Sequence, residues 1–116
     1  MTSSAIAVNL SGQSALVTGA SSGIGAAVAE ALAANGAFVW VNHPDEASAD
    51  AAAAVVSRIT SAGGRAQVIQ ADVSREADVL TMFQEIEGAG LDILVNNAGI
   101  AHSSPIEALE VDDFDR

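Results

Sequence analysis

Cysteine is missing from all 116 residues, so the chain has no disulfide framework and no thiolate zinc site. Lysine and tyrosine are missing too, and four arginines stand against fifteen acids, a formal net charge of -11. That balance argues against electrostatic capture of nucleic acid or an anionic membrane surface, and a phosphate ligand would need a local site. No apolar run approaches membrane-spanning length. The first ten residues carry no basic side chain, so neither a signal peptide nor an Arg-rich transit peptide is readable, and a cytoplasmic location is the default expectation. Aromatic residues are scarce, limited to Phe38, Trp40, Phe83 and Phe114. A core must therefore come from Val, Ile, Leu and many Ala, which favours helices packed closely on a sheet.

Half of the residues are apolar, enough for one domain over residues 1–116. Short apolar runs alternate with longer helix-period runs, the pattern of βαβ units in a parallel sheet. Residues 15–18 read as a first strand, and a glycine-bearing turn at 19–25 leads into a helix. Its inward face is read as Ile24, Ala27, Val28, Ala31 and Leu32, with Asn35-Gly36 as the stop. Residues 38–41 form a second strand, and Pro44-Asp45-Glu46 opens an Ala-rich helix. There Ala52, Val55, Val56 and Ile59 repeat at helical spacing before Gly63-Gly64. Residues 67–69 give a third strand. Ser74 then reads as the N-cap of a helix with Val79, Met82, Phe83 and Ile86 inward and Glu76 and Asp78 in its first turn. Met82 and Phe83 read as core rather than as ligand contacts. Residues 91–95 form a fourth strand ending at Asn96-Asn97-Ala98-Gly99, and a helical start follows Pro105.

A parallel strand feeding a glycine-rich turn into a helix N-terminus makes an anion site, because unpaired backbone N–H groups and aligned peptide dipoles face the ligand. Gly19 would allow the tight turn, Gly23 the close approach of a pyrophosphate, and Gly25 the contact of helix with sheet. The helix end contributes only about 0.3 to 2 kcal/mol, so other contacts must add to it. Alone, such a loop is a weak signal, since other nucleotide and methyl-donor folds use it.

The combination of Thr18-Gly19-Ala20-Ser21-Ser22-Gly23-Ile24-Gly25 with Asp72-Val73 and with Asp92-Ile93-Leu94-Val95-Asn96-Asn97-Ala98-Gly99 is more specific. It resembles the short-chain dehydrogenase/reductase family, most closely the branch of 3-oxoacyl-carrier-protein reductases and glucose dehydrogenases. The likeness runs from Leu10 to Arg116 and covers only the front part of the family pattern. It implies a Rossmann-type doubly wound parallel sheet of strand order 3-2-1-4, incomplete at its C-terminal end and binding NAD(P). Ser21, Ser22 and Ile24 would join Gly19, Gly23 and Gly25 around the pyrophosphate. Asp72 and Val73 would bracket the adenine, Asn97, Ala98 and Gly99 would line the adjoining ribose, and Asn96 would tie the central strands. The plainer readings are that Asp72 starts a helix and the Asn pair closes a turn. The complete protein would be a homo-oligomeric oxidoreductase passing hydride between a nicotinamide dinucleotide and a small carbonyl or alcohol.

Two departures matter. The family's acid at the end of the second strand, which would bond an adenosine 2′-hydroxyl, falls on His43, so the balance tips toward NADP(H) over NAD(H). His43 and Asn42 become hydrogen-bonding candidates there, the other reading of His43 being a solvated loop residue. The family's proton-transferring Tyr and its Lys have no counterpart in this chain, and its substrate-positioning Ser would follow a fifth strand. The chain therefore includes no assigned catalytic group and no metal site, and by itself is expected to be inactive. Asp112, Asp113 and Asp115 read as a solvated helix face. The alternative is a stand-alone nucleotide-binding or regulatory module without catalysis. A third reading, with S-adenosylmethionine or a nucleotide sugar as ligand, is disfavoured by the three-residue gap between Gly19 and Gly23 and by the Asn pair with Gly99.

Overall fold

The computed structural model describes residues 9–98. Strand β1 (Ser14–Val17) leads into helix α1 (Gly23–Ala34), then β2 (Phe38–His43). A 3-10 turn at Glu46–Ser48 enters α2 (Ala49–Ser61), followed by β3 (Arg65–Gln70), α3 (Glu76–Glu87) and β4 (Ile93–Val95). The strands form one sheet of order β3-β2-β1-β4. Every pairing is parallel, with Leu16 opposite both Trp40 and Leu94. This is the doubly wound order expected from the sequence.

The period of two along each strand divides the core between the two faces of the sheet. Ala15, Val17, Val39 and Val41 pack with Ala26, Ala29 and Ala33 of α1 and with Ala52, Val55 and Ile59 of α2. Leu16, Trp40 and Ile69 pack on the other face with Met82 and Ile86 of α3. Alanine and valine dominate the first face and larger side chains the second, where Phe38 meets Trp40 edge-on at 5.3 Å between ring centroids. Both faces being covered explains why β1 and β2 read as nearly continuous apolar runs.

Three local readings need correction. The inward stripe of α1 is Gly25, Ala26, Ala29 and Ala33, whereas Ile24 is 70% exposed and Ala27 and Ala31 face solvent. Val28 and Leu32, partly buried, do pack against the core beside this stripe, as read. Close seating of the helix selects its smallest face, so side-chain size, not hydrophobicity, decided the orientation. Second, Ser74 does not cap α3. Arg75 holds the N-cap position without a side-chain cap bond, and Ser74 turns back to Asp72. Third, His43 is the last residue of β2 and only 3% exposed, so it is neither in a loop nor solvated. The endings at Asn35-Gly36 and Gly63-Gly64 stand as read, with Gly36 at φ +106° and Gly63 at φ +95°. Among the described residues β4 pairs only with β1, and Leu94 is 54% exposed on the face that α3 covers elsewhere.

Candidate functional site

The direction of winding reverses between β1 and β4, and ligands of open α/β sheets settle in the crevice at such a switch point. Here the two loops leaving β1 and β4 face each other. Thr18, 4% exposed, links them: its backbone N–H donates to the Val95 carbonyl at 3.0 Å. Its hydroxyl donates to Asn96 Oδ1 at 3.2 Å and accepts from the Ala98 N–H at 3.1 Å. Asn96 thus ties β1 to β4.

Gly19 follows with φ +61°, and a Cβ there would stand 3.1 Å from the Ala98 Cα. Both of its peptide groups are engaged. Its N–H donates to Asn42 Oδ1 at 3.1 Å, and its carbonyl accepts from Asn97 Nδ2 at 3.0 Å. The Ala20 N–H donates to the Asn42 carbonyl at 2.8 Å. The first amides of the turn therefore face the protein. Those left by helix geometry to face an anion are in the first turn of α1, at Gly23, Ile24 and Gly25. Ser22 is the N-cap, in extended conformation and without a side-chain cap bond, and Ser21 is partly buried beside it. Gly23 has φ +60° and opens onto free space, since a Cβ there would meet nothing within 4 Å. Gly25 is the reverse case: a Cβ would come 2.6 Å from Asn97 Nδ2 and 3.0 Å from the Ala20 Cα.

A cavity of about 670 Å³ opens beside the loop. Thr18, Gly19, Asn42, Asp72, Val73 and Ala98 line its strand-end side, and Val79, Met82, Phe83 and Leu94 form an apolar floor. Met82 is core as read, at 3% exposed, yet it and Phe83 also shape this cavity. Thr18 and Pro44 join the lining without having been singled out as site residues. The position of Thr18 directly before the first glycine was the available signal. Gly99 lies outside the described residues. Among the described residues no group of three or more His or acidic side chains could hold a metal ion.

Asn42 and His43, the hydrogen-bonding candidates at the end of β2, both have partners within the protein. Asn42 is 1% exposed, and its amide nitrogen donates to the carbonyls of Ile69 and Ala71 at 3.2 and 3.1 Å. His43 places Nδ1 2.9 Å from the Asp45 carbonyl and 3.2 Å from Ser48 Oγ. A carbonyl can only accept, so Nδ1 carries the proton in that contact, and Nε2 is the acceptor of the neutral ring.

Asp72 accepts at Oδ1 from the Ser74 hydroxyl at 2.6 Å and from the Ser74 N–H at 2.9 Å. Those two bonds, opposed by desolvation and aided least by the Arg75 charge, hold its carboxyl below the ordinary value of 3.8. A depressed folded-state value means that its contribution is complete above the unfolded value and is lost as pH falls through the folded one. Ser74→Ala is expected to raise the Asp72 midpoint toward 3.8 without reaching it, because the backbone bond remains. Carboxyl carbon shifts followed by NMR from pH 2 to 6 would show this, and an unmoved midpoint would contradict the assigned cause.

Comparison with known proteins shows what the chain is similar to. Residues 13–116 match the family model for short chain dehydrogenase. The short-chain dehydrogenase/reductase homolog YusS of Bacillus subtilis is 45% identical over 105 residues, which cover 89% of this chain and 94% of that protein. The 3-oxoacyl-[acyl-carrier-protein] reductase of a Synechocystis strain is 44% identical over 107 residues, 90% of this chain and 42% of that protein. Among solved structures, the angucycline C-6 ketoreductase LanV with bound NADP superposes with a TM-score of 0.73 at 46% identity, over 79% of this chain and 38% of that one. YusS apart, the chain spans about two-fifths of the length of the curated relatives it matches.

Proposed function

The chain belongs to the short chain dehydrogenases, and on that premise we propose that residues 18–25, 72–73 and 97–99 hold a nicotinamide dinucleotide for hydride exchange with a small carbonyl or alcohol. The observation that carries this reading is the strand-to-helix junction at the switch point. Gly23 is open in front, Gly25 admits no side chain behind, and the first-turn amides of α1 lie between them. These features fit a diphosphate, which needs close backbone approach more than charged side chains. Asp72, ionised at neutral pH, suits an acceptor role toward an adenine amino group, and Val73 offers it an apolar wall. When bound, the dinucleotide supplies the hydride. The residues of this chain bind and orient it, and with no Tyr or Lys they do not supply the family's proton donor. A homo-oligomer in the cytoplasm belongs to the same proposal, and among the described residues no helix is long and apolar enough to cross a membrane.

NADP(H) is the proposed preference over NAD(H). No carboxylate ends β2, where His43 stands, and LanV holds NADP. Thermal unfolding of the full-length gene product with each dinucleotide tests both levels. Ligand at a hundredfold its Kd stabilises by about 2.7 kcal/mol, equivalent to roughly 5 to 10 °C in Tm for a protein of the length of most of these relatives. Trp40, the one tryptophan of these 116 residues, packs with the cavity-lining Met82 and gives a fluorescence readout beside the thermal one. No response to either dinucleotide at millimolar concentration overturns the reading, and a larger response to NAD(H) overturns only the preference.

The length of YusS favours a second reading, a nucleotide-binding or regulatory module without chemistry, because that relative is matched almost end to end. Saturable binding with no carbonyl reduction by the gene product would select it.

A further inference from the structure

We propose that Asn42 is a positioning residue that fixes the glycine turn for the diphosphate before any ligand arrives; this rests on the cofactor reading above. The side chain is buried at the end of β2, and its amide joins the glycine turn to the end of β3 through three hydrogen bonds. Oδ1 accepts the Gly19 N–H at 3.1 Å, while Nδ2 donates to the Ile69 and Ala71 carbonyls at 3.2 and 3.1 Å. Its backbone carbonyl takes the next amide of the turn, from Ala20, at 2.8 Å. The position thus calls for one acceptor and two donors on a short side chain, a set that only a primary amide provides. An aspartate would set a carboxylate oxygen against two carbonyls, and an aliphatic residue would leave the Gly19 N–H and both carbonyls without this partner.

The consequence reaches the ligand through the turn. With Gly19 held by Asn42 on one side and by Asn97 on the other, the chain leaves β1 in one conformation, and the amides of Gly23, Ile24 and Gly25 are presented together. Without Asn42 that ordering would fall on the binding step, which lowers affinity by the ordering cost. The loss should concern the diphosphate more than the adenosine.

Amide hydrogen exchange on the ligand-free, full-length wild-type protein is the first arm. Gly19 should be protected, with a through-hydrogen-bond coupling to the Asn42 side-chain carbonyl carbon; exchange at the rate of an unstructured glycine overturns the proposal, with no variant needed. In the second arm, Asn42→Ala should lose protection at Gly19 and keep it at Ala20, whose partner is a backbone carbonyl. Dinucleotide affinity should fall roughly tenfold or more, while affinity for adenosine, which lacks the diphosphate, stays within about twofold. Equal losses for both ligands, or at both amides, mean general destabilisation and overturn the proposal. A wild-type protein that binds adenosine but no dinucleotide overturns the cofactor reading and the role in affinity together, and the Gly19 exchange rate still separates that failure from a failure of the Asn42 bond.

Discussion

Gly25→Ala is expected to lower the stability of the fold by about 2 to 3 kcal/mol and to abolish measurable dinucleotide binding. Helix propensity alone gives the opposite sign, since alanine is favoured over glycine inside a helix by about 1 kcal/mol. Sterics win here because the added methyl would overlap the Gly19 carbonyl oxygen and stand 2.6 Å from Asn97 Nδ2 and 3.0 Å from the Ala20 Cα. Two of these neighbours are backbone atoms, and the third is held by its bond to Gly19. The strain can be relieved only by lifting α1 from the turn, which pulls Ala26, Ala29 and Ala33 from their seats on the sheet. Overpacking of this kind typically costs about 1 to 3 kcal/mol. Gly88→Ala is the control, because a Cβ there meets nothing within 4 Å and its φ is -63°. Thermal unfolding and calorimetric titration of both variants give the comparison. A Gly25→Ala protein as stable as wild type and still binding would show that helix and turn are not in the contact described.

That contact also marks where the sequence was legible and where it was not. The succession of elements followed from period and punctuation, while the strand order came from the family resemblance: the apolar runs around Leu16, Trp40 and Ile69 alternate with helical stretches, and Gly36 and Gly63 adopt positive φ where the helices stop. The inward face of α1 did not follow, because Ile24 and Val28 carry more apolar area than Ala26 and Ala29. A helix lying directly on a glycine turn is positioned by closest approach, which no hydropathy measure records. Buried polar side chains were harder still. Asn42 and His43 sit in the last two positions of β2, where the residue types also suit a solvent-facing ligand site, and the partners that engage the Asn42 side chain lie 23 to 40 residues away. Asn97 shows the same effect: its amide reaches the Gly19 carbonyl 78 residues away and braces the loop, a role invisible in its local motif. Asp72 and Val73 were singled out only through the family resemblance; both line the cavity just beyond the end of β3, an edge strand of the sheet.

Thr18→Val is expected to weaken the protein by about 2 kcal/mol and dinucleotide binding by at least tenfold, whereas Thr18→Ser should keep binding within about threefold. Valine preserves the β-branched shape at a 4% exposed position, so a hydrophobic ledger would rank it above threonine. It removes the one hydroxyl that accepts the Ala98 N–H at 3.1 Å and donates to Asn96 Oδ1 at 3.2 Å. A buried polar group left without its partner costs about 1 to 3 kcal/mol. Asn96 is exposed enough for water to replace part of that loss, so the estimate stays below the sum for two groups. Serine retains both bonds and loses only a methyl, about 0.8 kcal/mol. Because this hydroxyl joins the loop after β4 to the end of β1, its removal widens the crevice at the switch point as well as destabilising the sheet. Chemical denaturation separates stability from binding, and a valine variant that matches wild type in both would place the join elsewhere, in the backbone bond from Thr18 to Val95.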